Sequence, residues 1–172
     1  MKTLFTVLFG LFLVPGAQAA EKAFKGQPPP YQFNVGGLAG LGVVDSRPGF
    51  SLMGTAAVKI MNHGFAEDIN NQVFLEAAFG PLFVSGGTAF QYSFHLRWDF
   101  VKDEDWTFYG LGGLGGVITG SSYSPIPLGP TKASSMFYPR FGIGAMWGLF
   151  DIASLRVELS HELIALGVVF ML

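Results

Sequence analysis

The sequence predicts an all-β protein: an eight-stranded antiparallel up-and-down transmembrane β-barrel. Three observations predict it. The stretch Thr88 to Phe100 (TAFQYSFHLRWDF) puts Phe90, Tyr92, Phe94, Leu96, Trp98 and Phe100 on one parity and Gln91, Ser93, His95, Arg97 and Asp99 on the other, and a strand turns successive side chains to opposite faces. Half of the residues are hydrophobic and 13% are charged, yet no apolar run after Val14 approaches the ~20 residues that a spanning helix requires. Similar alternating segments recur with turn signals between them. Most reach the ~9–11 residues of a tilted strand crossing a bilayer, above the ~5–6 of a typical soluble strand.

The N-terminus reads as an export signal. Met1-Lys2 is followed by the apolar run Leu4 to Val14, a Pro15-Gly16 break and the small-x-small site Ala17-Gln18-Ala19. Residues 1–20 are therefore expected to be a signal peptide, cleaved after Ala19 or Ala20. The chain contains no Cys, which excludes a lipoprotein anchor at the cleavage site and any disulfide in the exported protein. Residues 21–30 (EKAFKGQPPP) form a polar, proline-ended flexible leader. Residues 31–172 are expected to fold as one barrel domain. The net charge of −2 argues against a nucleic-acid partner.

The strands follow in order. Tyr31 to Val44 sets Phe33, Val35, Ala39, Leu41 and Val43 against Asn34, Gly36, Gly40 and Gly42. After the turn Asp45 to Gly49, Phe50 to Met61 faces Leu52, Ala56, Val58 and Ile60 outward and Ser51, Thr55 and Lys59 inward. A polar connection, 62–70, holds His63. Gln72 to Val84 has Val73, Leu75, Ala77, Phe79 and Phe83 on its apolar face, with Gln72 and Glu76 opposite. Pro81 lacks an N–H, so irregular pairing is expected there. Ser85-Gly86-Gly87 turns the chain into Thr88 to Phe100, and Lys102 to Asp105 turns it out again.

Trp106 to Gly120 is the fifth strand, with five internal glycines. Its GxGxxG-like pattern is no phosphate loop, because nothing helical follows it. The long Pro- and Ser-rich loop 121–135 leads to Met136 to Leu149, where Phe137, Phe141, Ile143, Ala145 and Trp147 oppose Tyr138, Arg140, Gly142 and Gly144. Ser154 to Ser160 sets Leu155, Val157 and Leu159 against Arg156 and Glu158. The last strand is Leu163 to Leu172. The turn at His161-Glu162 lacks the Asn-Gly or Gly chemistry of tight hairpins. The count is seven rather than eight if that turn is absent.

With the N-terminus in the periplasm, the longest loop falls outside, as in outer-membrane barrels. Aromatics near strand ends (Tyr31, Phe33, Trp98, Phe100, Trp106, Phe108, Phe137, Tyr138, Trp147, Phe150) suit interfacial girdles. On these residues the chain resembles the small eight-stranded outer-membrane barrels of Gram-negative bacteria, the OmpA/OmpX-like class. Gly167, Phe170 and Leu172 are similar to the terminal assembly signal of that class, with Leu172 where Phe is usual. The resemblance implies an outer-membrane location, outer-membrane lipid and lipopolysaccharide as surroundings, the outer-membrane assembly machinery as a partner, and a monomer.

An eight-stranded barrel is just wide enough for its own side chains. Lys59, Glu76, His95, Arg97, Asp99, Arg140, Arg156 and Glu158 are all on inward parities, and buried charges persist when paired. A salt-bridged plug is therefore expected, packed into room left by inward glycines of the first and fifth strands. A lone inward His95 reads as hydrogen-bonded packing. No cofactor or metal is implied.

The expected role is structural or adhesive, through the loop 121–135, or another surface interaction, without enzymatic activity. Two alternatives stand beside it. Ser160, His161 and Glu162 are loosely similar to the catalytic set of lipid A deacylase barrels, but Leu163 occupies the Ser position of that family's His-x-Ser, and the adjacent Ser160 and His161 point apart on a strand. A soluble lipocalin-like barrel holding a small apolar ligand is the other.

Overall fold

The computed structural model describes residues 30–44, 47–66, 69–84, 87–119 and 134–172. The expected signal peptide, the leader through Pro29, the long loop through Ala133 and the centres of the turns at 45–46 and 85–86 lie outside the described residues. Eight strands follow one another: β1 (Phe33–Val44), β2 (Arg47–Met61), β3 (Asn71–Val84), β4 (Gly87–Val101), β5 (Trp106–Thr119), β6 (Ser134–Phe150), β7 (Ala153–Ser160) and β8 (Leu163–Met171). Each pairs antiparallel with its sequence neighbours, and β8 pairs with β1 from Asn34↔Met171 to Gly42↔Leu163, closing the barrel. Closure leaves no sheet edge along that seam, as a lipid environment demands.

The alternation read from the sequence becomes an inside and an outside. On β4, Gln91, Ser93, His95, Arg97 and Asp99 are all buried, while Phe90, Phe94 and Leu96 are exposed. The outer wall carries large apolar side chains on every strand; Leu114, Phe137 and Ile164 are 65%, 69% and 62% exposed. A soluble protein does not show so wide an apolar band, whereas a bilayer covers it.

The turn between β7 and β8 exists, so the count is eight. Ser160 replaces the missing glycine chemistry: its Oγ donates to the Leu163 carbonyl (3.2 Å) and accepts from the Leu163 amide (3.3 Å). At Pro81 the irregularity is one-sided. The β3–β4 ladder runs through it unbroken, with Pro81 opposite Phe90, while the β2–β3 ladder skips Leu52 and Met53.

Three readings need correction. The 62–70 connection is not merely polar. Asn71 Nδ2 donates to the carbonyls of Ala66 and Ile69, both at 2.6 Å, and Trp98 Nε1 donates to Asn71 Oδ1 at 2.7 Å. Phe65 then sits edge-on to Trp98, and Val73, on the outward parity, is 1% exposed. Tyr31 is not part of a girdle: it precedes β1 and stacks on the inward Phe74, with ring centroids 5.9 Å apart. Tyr138 likewise packs against lumen residues Leu82, Ala89 and Val117.

Candidate functional site

The lumen is where the chain places its buried chemistry. Arg97, Arg156, Glu76, Asp99 and Glu158 are all between 0% and 1% exposed. Parity delivers them: Glu76 lies opposite His95 in the β3–β4 ladder, Arg97 is two residues on, and Arg156 and Glu158 share the inward face of β7.

Glu76 is the hub. Arg156 grips both its oxygens, Nη1 to Oε2 at 2.9 Å and Nη2 to Oε1 at 2.8 Å. Arg97 Nη1 donates to Glu76 Oε2, and His95 Nε2 lies 3.2 Å from Oε1. Arg97 turns the rest of its fork to Asp99, at 2.8 and 3.1 Å. Such bidentate, charge-assisted pairs are the strong class of hydrogen bond. Arg156 Nη2 also reaches Glu158 Oε2 at 2.6 Å. Arg140 joins Glu158 through Nη2 and Glu162 through Nη1, the latter at 2.8 Å. The pairs form one alternating chain across the lumen, from Asp99 through Arg97, Glu76, Arg156, Glu158 and Arg140 to Glu162.

Two predicted members sit differently. The Lys59 Nζ stands 5.2 Å from the Tyr31 ring centroid and 5.8 Å from that of Phe74, a cation–π arrangement at the proximal end, where the described chain begins and ends. His95 is packed between Glu76 and Ser93, whose Oγ is 3.3 Å from Nδ1.

Sequence reasoning missed Tyr109. Its hydroxyl accepts from Arg156 Nε at 2.9 Å and lies within donating distance of the Val157 carbonyl (3.1 Å) and Glu158 (3.3 Å). Its ring lies under Arg156 at 4.9 Å and Arg97 at 5.7 Å. The signal was available, since Tyr109 shares the parity of Leu111, opposite the outward Phe108. Phe74, under Arg97 at 4.7 Å, sits between Gln72 and Glu76 on the polar parity of β3.

The inward glycines make room for different side chains than expected. A Cβ on Gly115 would collide with the Tyr138 ring and one on Gly144 with the Tyr109 ring, while one on Gly113 would meet the backbone of Phe94 and His95. Gly110 and Gly112 of β5 are on the outward parity, where a Cβ would meet nothing within 4 Å. β5 thus carries its glycines on both faces.

Nearer the distal end, opposite the termini, the lumen turns apolar. Leu38, Met53, Ala78, Leu163 and Ala165 pack together, as do Leu82, Ala89 and Val117. Gln91 belongs to this half, donating to Ser51 Oγ.

At the distal turn, Ser160, His161 and Glu162 do not assemble as nucleophile, base and acid. Ser160 Oγ is engaged with Leu163. His161 stacks on Phe141 at 4.8 Å, and its Nδ1 lies 2.9 Å from Glu162 Oε2. Glu162 also pairs with Arg140 through its other oxygen.

The fold has counterparts among solved structures. A de novo designed transmembrane β-barrel superposes with a TM-score of 0.56 at 14% identity, covering 83% of this chain and 97% of the design. The fold is that of a small eight-stranded transmembrane barrel. Ail, the attachment invasion locus protein of Yersinia pestis, superposes in its complex with the heparin analogue sucrose octasulfate with a TM-score of 0.54 at 12% identity, covering 82% of this chain and 97% of Ail. A second Ail structure gives a TM-score of 0.50 at 15% identity, over 82% and 97% of the two chains. No protein-family model matches the chain, and no curated protein matches it in sequence.

Proposed function

We propose that this chain is an outer-membrane barrel, closed by its own side chains, with a structural, adhesive or surface-interaction role and no catalytic activity. The observation that carries the reading is the ion-pair chain from Asp99 to Glu162, in which buried charges of both signs occupy the lumen that a pore would leave open. Apolar side chains, Leu38, Met53, Leu82 and Val117 among them, fill part of the distal half beside it. A lipocalin-like cavity has no room in such a lumen. A hydrolase lacks its nucleophile–base contact, because the Ser160 hydroxyl is engaged with the Leu163 backbone and the His161 ring stacks on Phe141.

In this reading the proximal end faces the periplasm and the segment joining β5 to β6, whose expected bound of 135 shortens because Ser134 and Ser135 pair in β6, is displayed outside. Outer-membrane lipid and lipopolysaccharide cover the apolar belt. Gly167, Phe170 and Leu172 present the terminal signal to the assembly machinery, and the barrel works as a monomer. Ail supports the adhesive variant by fold alone, and the heparin analogue seen on it is the first soluble competitor to try.

The test has three arms. Fractionation should recover the protein only with detergent, with a band that shifts on heating. Planar bilayers should show no steady conductance, and a reproducible open level would overturn the closed lumen. Cells displaying the protein should adhere less when residues 123–130 are replaced by a Gly-Ser linker. Unchanged adhesion would remove the loop from the role. Loss of an acyl chain from lipid A, abolished by His161→Ala, would establish the hydrolase instead.

A further inference from the structure

A groove of about 750 Å³ is cut into the outer wall of the barrel, within the ~300–1,000 Å³ range of small-molecule sites. Its floor lies where Gly37 of β1 stands opposite Gly54 of β2. Val168 of β8 is the other neighbour of Gly37, and Phe79 of β3 the other neighbour of Gly54. Leu166 and Phe170 raise one wall. Phe79 and Phe90 raise the opposite one, their rings stacked with centroids 6.4 Å apart. Every lining residue is apolar or glycine.

Nothing inside the chain requires glycine at these two floor positions. Among the described residues only Gly87 has a positive φ. The β1–β2 register runs unbroken past both positions, so no bulge accounts for them. A Cβ on Gly37 would meet nothing nearer than the Met53 carbonyl at 3.8 Å, and one on Gly54 nothing nearer than Phe79 at 3.9 Å, both ordinary contacts. Gly80 and Gly167, which also line the groove, differ. A Cβ on either would run into a carbonyl of the neighbouring strand, Leu52 and Gly37 respectively. Glycine inside a strand weakens it, and without a bulge or internal crowding it marks a place where an outside molecule comes close to the backbone.

The surroundings decide the occupant. Phe33 and Val35 on the proximal side of Gly37, and Leu41 and Val43 on its distal side, are all exposed, so the groove opens within the belt that lipid covers. A second copy fits poorly. A two-fold contact sets one patch against itself, and two facing recesses would leave a void that close packing does not tolerate. Lipopolysaccharide needs cations for its phosphates, and no Lys or Arg is among the lining residues. A plain hydrocarbon chain needs neither. We propose that the groove is a lipid site, in which one acyl chain of a phospholipid lies along the Gly37–Gly54 floor, between Leu166 and Phe170 on one side and the Phe79–Phe90 stack on the other. The inference goes beyond the role proposed above and rests only on the barrel spanning a bilayer.

The test uses the whole barrel in phosphatidylcholine vesicles doped with phosphatidylcholine that carries a photoactivatable diazirine midway along one chain. After illumination, mass spectrometry of peptides locates the adducts. The site requires adducts around Gly37 and Gly54 to be several-fold denser than around Leu114, an exposed position on β5 across the barrel. Gly54→Leu places a side chain in the groove and should lower its adducts to the Leu114 level. Gly37→Leu is the second filling variant, for use if Gly54→Leu gives no heat-shifted band. Gly112→Leu, at an outward glycine of β5 where a Cβ would meet nothing within 4 Å, should leave the groove adducts unchanged. An even spread of adducts around the barrel would overturn the proposal, as would a groove signal that survives filling. Displacement by added lipopolysaccharide at a concentration where unlabelled phosphatidylcholine has no effect would assign the site to lipopolysaccharide instead. The chain has no Cys, so rapid disulfide-linked dimers of Gly37→Cys on oxidation would assign the face to a second copy.

Discussion

At Glu76, two guanidinium groups and an imidazole converge on one carboxylate. Removing one partner of a buried ion pair strands the others, at a cost of about 3–5 kcal/mol. Glu76→Ala should therefore lower the unfolding free energy of the barrel, read from urea titrations in lipid vesicles, by that order, more than any exposed acidic substitution does. Arg97→Ala should also destabilise, since it leaves Asp99 without its bidentate partner. Unchanged unfolding of both variants would contradict a paired interior. Tyr109→Phe removes one hydroxyl that bridges Arg156 and β7 and should cost about 1 kcal/mol, the net worth of a typical hydrogen bond.

The β4–β5 turn is ordered by one side chain. Hydrogen bonds from the backbone amide of Trp106, first, then the Lys102 side chain and the Asp105 amide hold the Asp103 carboxyl below the usual aspartate range. A depressed folded value means that the stabilisation is present above the unfolded pKa and is lost as pH falls through the folded one. Acidification below the ordinary aspartate range should loosen this turn, and the neighbouring Trp106 fluorescence should report it. Asp103→Ala should show the loosened signal already at neutral pH and no titration there. Within β6 the constraint is steric. Gly144→Val would push into the Tyr109 ring, and overpacking of this kind costs about 1–3 kcal/mol. Partial recovery in the Gly144→Val, Tyr109→Ala double variant would identify the ring as one part of the collision, the Val157 carbonyl being the other.

For the whole molecule, closure is the decisive event. Gly167 of β8 lies opposite Leu38 of β1, and a Cβ there would run into the Gly37 carbonyl. Gly167→Val should therefore prevent the seam from forming and abolish the heat-shifted band, whereas Leu172→Phe, at an exposed terminal position, should leave the folded barrel unchanged. If Gly167→Val closes normally, glycine at this position serves recognition by the assembly machinery rather than packing.

Parity along single strands was enough to sort inside from outside, because a strand's period of two is fixed by covalent geometry. It placed Glu76, Arg97, Asp99, Arg140, Arg156 and Glu158 in one lumen before any pairing was known. Strand length and the apolar outer parity likewise determined a membrane barrel. What parity cannot determine is register around the closed sheet. Only the tertiary structure decided that Glu76 of β3 meets Arg156 of β7, 80 positions away, that Tyr109 bridges them, and that Lys59 goes to aromatic rings instead. Only it decided that Glu162, read first beside a catalytic candidate, ends the ion-pair chain. Those contacts cross the lumen rather than follow a strand, and they exist only once β8 closes on β1.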